Sequence, residues 1–87
     1  MQRHNGWFAT VTGVAADGQG RVFAADFYNH RIQKFAADGT FLTRFGTKGN
    51  GPGEFDYAMA VAAAEDGTVF AVDFGNDRIS RWRPQVP

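Results

Sequence analysis

Cysteine is missing from this chain, which excludes a disulfide framework and a thiolate zinc site and leaves the redox compartment undecided. Net charge is missing too. Nine Lys and Arg face nine Asp and Glu, so the basic signature of a sequence-independent nucleic-acid binder is absent and nucleic acid is not an expected partner. Little electrostatic repulsion opposes self-association, and protein surfaces are the expected partners. No apolar run reaches signal-peptide or membrane-spanning length, which predicts a soluble chain without a secretion signal or a membrane contact. Serine occurs once, as Ser80 inside an apolar-rich run, and together with the absence of cysteine this serves nucleophilic catalysis poorly. Long helical periodicity is lacking as well. At 87 residues the chain is at most one small domain with a thin stability margin.

What is present is a repeat. Residues 8–35 align with residues 55–82 at a constant offset of 47 without a gap, and 13 of the 28 aligned positions are identical. A period of this size marks one supersecondary unit that cannot bury its apolar faces alone and is stabilised by stacking on copies of itself.

Within each copy the apolar runs are short, rich in Val, Phe and Ala, and separated by Gly and Asp. That spacing predicts a meander of strands over residues 13–16, 21–27, 31–36 and 40–45, joined by Asp17-Gly18-Gln19-Gly20, Tyr28-Asn29-His30 and Asp38-Gly39. Consecutive apolar residues in Val22-Phe23-Ala24-Ala25 and Val69-Phe70-Ala71-Val72 require that both faces of the strand be covered. A small sheet covered on both faces is a propeller blade, and a mixture of Phe opposite Ala suits wedge-shaped packing between blades.

The motifs Gly13-Val14-Ala15-Ala16-Asp17, Val22-Phe23-Ala24-Ala25-Asp26, Asn29-His30-Arg31-Ile32-Gln33-Lys34-Phe35 and Asp38-Gly39-Thr40-Phe41-Leu42 together resemble the NHL repeat. The second copy is similar through Ala71-Val72-Asp73 and Asn76-Asp77-Arg78-Ile79, and the glycine-rich residues 45–55 look like the linker between two such repeats. The resemblance implies an all-β fold: two blades of an NHL-type β-propeller, a family whose rings usually have six blades. It divides the chain into a tail over 1–7, a first blade with its linker over 8–54, and a second blade over 55–87 whose outer strand is absent. Where the family has a proline-x-glycine lead into the innermost strand, this chain has Val11-Thr12-Gly13 and Ala58-Met59-Ala60, so that loop is expected to sit differently.

Asp26, Asn29 and Arg31 recur as Asp73, Asn76 and Arg78. A device present in both copies is expected to build the blade, through caps on backbone groups and an Arg–carboxylate pair, and not to catalyse. His30, an exposed turn residue in this reading, is replaced by Asp77 in the second copy, and His4 lies in the tail. Gly49, Gly51 and Gly53 lack the Lys-Ser or Lys-Thr ending of a phosphate cradle and read as linker. Arg78, Arg81 and Arg83 around Trp82 read as a charged edge strand that discourages uncontrolled pairing. A ligand site, if present, is expected where the second-to-third-strand turns meet the linker, on Trp7, Tyr28, His30, Lys48, Tyr57 and Asp77. No catalytic residue, metal ligand or cofactor is expected.

Two blades cannot close a ring, and their uncovered apolar faces demand a partner. Identical chains docking head to tail as a homotrimer would give six blades. The resemblance leaves three functions open: a scaffold that binds protein or another ligand, since NHL propellers bind proteins and RNA; a fragment of a lyase- or lactonase-type propeller enzyme or of a longer NHL protein; and a minimal or engineered unit that only assembles. The innermost runs, 13–16 and 60–63, contain no histidine or carboxylate, which weighs against metal-dependent propeller chemistry.

Overall fold

The Asp-Gly punctuation and the Val- and Phe-rich runs between the turns give, among the described residues, strands joined by turns and two short 3-10 turns. The computed structural model describes residues 10–83. Its strands are β1 (Val11–Ala16), β2 (Val22–Asp26), β3 (Arg31–Phe35), β4 (Phe41–Phe45), β5 (Thr47–Lys48), β6 (Glu54–Phe55), β7 (Ala58–Ala63), β8 (Val69–Asp73) and β9 (Arg78–Trp82). Strands β1-β2-β3-β4 form one antiparallel, blade-like sheet and β7-β8-β9 a second. Between them the linker is not plain loop, because β5 and β6 pair in parallel, Thr47 with Glu54 and Lys48 with Phe55. Among the described residues, no helix is long and apolar enough to cross a membrane.

The tight turns are held by side-chain carboxylates. Asp38 accepts the Thr40 N–H and Asp66 the Thr68 N–H, each at 2.9 Å. Asp17 accepts the Gln19 and Arg21 N–H groups and pairs with the Arg21 guanidinium at 2.8 Å. Burial would raise the Asp17 pKa, but these bonds hold the carboxyl below its ordinary value.

The strand bounds differ from expectation in one instructive place. Phe27, expected at the end of a strand, opens a 3-10 turn, Phe27–Asn29, and Phe74–Asn76 repeats it in the second copy. The His30 N–H to the Phe27 carbonyl and the Asp77 N–H to the Phe74 carbonyl close these turns. The innermost strands also begin earlier than expected, with matching bulges at Val11/Gly13 and Ala58/Ala60.

The sheets stack through Phe23, Ala25 and Ile32 of the first against Ala58, Val69 and Ala71 of the second, with Phe55 from the linker buried beside them. Near the innermost strands the backbones nearly touch. A Cβ on Gly13 would lie 3.1 Å from the Ala60 Cα, and the Thr12 hydroxyl donates to the Met59 carbonyl. At the rim the sheets diverge, and Phe45, Phe55 and Trp82 fill the wedge, with ring centroids 4.6 Å (Phe45–Trp82) and 5.6 Å (Phe55–Trp82) apart.

Two-sided covering holds for β2, where Phe23, Ala24, Ala25 and Asp26 are all buried, but not for β8. In β8, Val69, Ala71 and Asp73 are buried against the first sheet, whereas Phe70 and Val72 face away from it and are exposed. The apolar pattern is the same; the second neighbour that β8 calls for is not among the described residues.

Candidate functional site on the turn and linker face

Strands β2 and β8 each end in a carboxylate that is fully buried. Asp26 Oδ2 accepts from the Arg31 Nε at 2.8 Å, the Asn29 amide at 3.1 Å and the Gln33 amide at 3.3 Å. Asp73 Oδ2 accepts from Arg78 Nε and from the Asn76 amide, each at 2.9 Å, while its Oδ1 takes the Asp56 N–H at 2.7 Å. A carboxylate with this many donors, one of them cationic, is held in a single orientation.

From Asp73 the network runs outward into the linker. The remaining Arg78 nitrogens donate to the carbonyls of Asn50, Gly51 and Glu54, and the Asn76 amide donates to the Gly49 carbonyl. Glu54 Oε1 accepts the Gly51 N–H at 2.9 Å. The glycine run 49–53 is therefore tied down by the second sheet's Asp-Asn-Arg motif, with the carbonyls of Gly49, Asn50 and Gly51 spent on asparagine and arginine.

Above these anchors lies an aromatic cluster. His30 and Tyr57 both have a positive φ, 52° and 70°, in the left-handed region that His tolerates better than most residues. Those two bends bring the Tyr57 N–H to the His30 Nδ1 at 2.9 Å and set the two rings 4.6 Å apart. Phe27 stacks on Tyr57 at 4.8 Å, Tyr28 stands edge-on to Phe27 at 5.0 Å, and Phe74 lies 6.5 Å from Phe27. His30 is half-buried, not the exposed turn residue expected. Burial, and next the Lys48 ammonium, hold its pKa below the ordinary imidazole value against the opposing pull of Asp56 and Asp73.

Two shallow grooves flank the cluster. One, of about 310 Å³, is walled by Tyr28, His30, Arg44, Thr47 and Lys48, and the other, of about 360 Å³, by Lys48, Asn50, Asp56 and Asn76. Lys48 belongs to both, so one ammonium overlooks two recesses. Among the described residues, no three His, Asp or Glu side chains gather as a metal cluster. The chemistry on offer is recognition: phenol and ring edges, a lysine and an arginine, on loops fixed by a sheet network.

Of the six residues expected at a ligand site, the structure gathers Tyr28, His30, Lys48 and Tyr57. Asp77 occupies the place of His30 on the second copy's turn, with the same left-handed backbone, and walls neither groove. Trp7 lies outside the described residues, as does His4. Phe27, Phe74 and Asp56 were missed. The two phenylalanines carried a signal, since they are identical in both copies. Asp56 carried an indirect one in Gly75, the counterpart of Tyr28: a Cβ at Gly75 would collide with the Asp56 carboxylate.

Compared with known families, the model of the NHL repeat matches residues 8–35. No curated protein matches the chain. The match spans the residues that form β1, β2, β3 and the Asp26-Asn29-Arg31 anchor, so the first copy is similar to an NHL repeat.

Proposed function

We propose that the chain is a non-catalytic β-propeller building block: copies dock head to tail into a closed ring, three chains giving six blades, and the ring offers the Tyr28, His30, Lys48 and Tyr57 face to a protein ligand. One observation carries this reading. Phe23, Ala25 and Ile32 of the first sheet are buried under the second, and their counterparts one repeat later, Phe70, Val72 and Ile79, form an exposed apolar face. The surface that would cover them is on the chain as well. Ala58 and Val61, which cover the first sheet, have Val11 and Val14 as counterparts, and both of these are exposed. A contact already made once inside the chain therefore has a second donor face and a second acceptor face, and a heterologous contact of this kind either closes or polymerises.

Light scattering coupled to size exclusion tests the reading. A species of three times the chain mass is expected, and Ile79→Asp is expected to dissociate it, because a carboxylate would be buried without a partner. A well-folded species of monomer mass would defeat self-closure and point to cover from further blades of a longer protein. A dimer or tetramer would defeat only the six-blade count.

A further inference from the structure

We propose that the two grooves sharing Lys48 are a docking site for a dipolar segment of a protein ligand, an Asp or Glu beside a Lys or Arg, with the acidic side chain on Lys48 and the basic one on Asp56. This deepens the ligand-face reading above and rests on it. The observation behind it is a pair of opposite charges that wall one recess without meeting. Lys48 and Asp56 both line the groove of about 360 Å³. Neither side chain has an ion-pair partner among the described residues, and they do not pair with each other. By contrast, Arg21, Arg31 and Arg78 each lie within 2.9 Å of a carboxylate oxygen.

Backbone bonds fix both residues. Lys48 pairs with the buried Phe55 across β5 and β6, and the next N–H, that of Gly49, donates to the Phe55 carbonyl at 2.9 Å. The Asp56 N–H donates to Asp73 Oδ1 and its carbonyl accepts from the Gly75 N–H, each at 2.7 Å. Gly75 leaves room for the Asp56 carboxylate, which a Cβ there would displace. The first copy has Tyr28 at that position, and its groove of about 310 Å³ includes Tyr28, Arg44 and Lys48 and no carboxylate. Both charges act on the His30 imidazole, in opposite directions, which sets them within reach of the same ring.

Charge complementarity selects the occupant. A nucleic-acid strand would set further phosphates against Asp56, whereas a peptide places an anion and a cation on neighbouring side chains. Tyr28 and Phe74, in the aromatic cluster that the grooves flank, are 59% and 57% exposed and give such a segment an apolar contact.

The test is chemical-shift mapping on the full chain with the capped peptide acetyl-Glu-Lys-Phe-amide and two controls, in which Gln replaces the Glu or the Lys. The first peptide is expected to shift the amides of residues 28–30, 48–50 and 56–57 and to bind about tenfold more tightly than either control. Lys48→Gln is expected to erase only the preference over the control without Glu, and Asp56→Asn only the preference over the control without Lys, so one poorly folding variant does not spoil the test. Equal affinities for the three peptides on this face would overturn the dipolar site and leave the ligand face standing, whereas no shift on this face with any of the three would count against both. Preferences that survive both variants, or tighter binding of a single-stranded oligonucleotide that Lys48→Gln removes, would also overturn the proposal. Chain mass in the same samples reads ring closure separately, since every residue of the site belongs to one chain.

Discussion

Phe23 and Phe70 hold the same place in two copies of one motif, yet the first is 2% exposed and the second 41%. Ile32 and Ile79 differ more, 0% against 69%. The strands, bulges and turns around them correspond. What differs is the neighbour: among the described residues one sheet has another stacked on this face and the other does not. A strand of consecutive apolar residues is thus a statement about two neighbours, and the second sheet shows what such a strand looks like when one is missing. The buried carboxylates repeat the contrast, since the Arg31 side chain beside Asp26 is 7% exposed and the Arg78 side chain beside Asp73 is 35% exposed.

The sharpest way to break the comparison is to truncate both rings. Phe23→Ala should cost about 3–5 kcal/mol, the usual loss for a buried phenylalanine, and shift the whole melting curve down at every protein concentration. Phe70→Ala should act only through association, removing the concentration dependence of Tm while leaving the dilute chain close to its parent. Thermal melts over a hundredfold dilution separate the two. If both variants lose the same stability at every concentration, the Phe70 face is covered within the chain and the comparison fails.

A smaller difference is expected at the carboxylates. Asp26→Ala removes a fully buried carboxylate beside an arginine side chain that is only 7% exposed and should cost about 3 kcal/mol. Asp73→Ala does the same beside an Arg78 side chain that is 35% exposed and partly solvated, so about 1–2 kcal/mol is expected. Urea denaturation of each variant gives the two values. A variant that keeps its stability but loses ligand binding would move these residues from the frame of the blade to its binding site.

Much of this was readable from residue order. Asp38-Gly39 and Asp66-Gly67 announce their turns through carboxylate-to-backbone bonds two residues long, and the 47-residue offset forecasts that whatever Asp26 does with Arg31, Asp73 does with Arg78. Three features were out of reach because their partners are distant in sequence: the Tyr57 N–H on His30 and the Asn76 amide on Gly49, each 27 residues away, and the Arg78 grip on the Asn50, Gly51 and Glu54 carbonyls. No local pattern encodes such a bond. Phe27 was misplaced for the opposite reason, a local one. Its carbonyl closes a 3-10 turn that Asp-Phe-x-Asn permits but that the apolar run conceals.

The smallest expected effect separates the two turns by pH. His30 and Asp77 occupy matching left-handed positions, but only His30 accepts a backbone N–H through its side chain, from Tyr57. Protonating Nδ1 would destroy that acceptor. The folded-state pKa of His30 lies below its ordinary 6.5, through burial first and Lys48 second, so the unfolded chain takes up the proton more readily. The contribution is therefore fully present above pH 6.5 and is lost as pH falls through the folded-state value. The turn carboxylates Asp17, Asp38 and Asp66 are held below their ordinary value by backbone N–H groups and stay charged across this range. Stability measured from pH 7.5 to 5 should fall modestly for the parent. His30→Asn, which keeps a residue at ease with positive φ, should flatten the profile while Asp77→Asn leaves it unchanged. A slope that survives His30→Asn would show that His30 does not carry the change and remove the distinction between the turns.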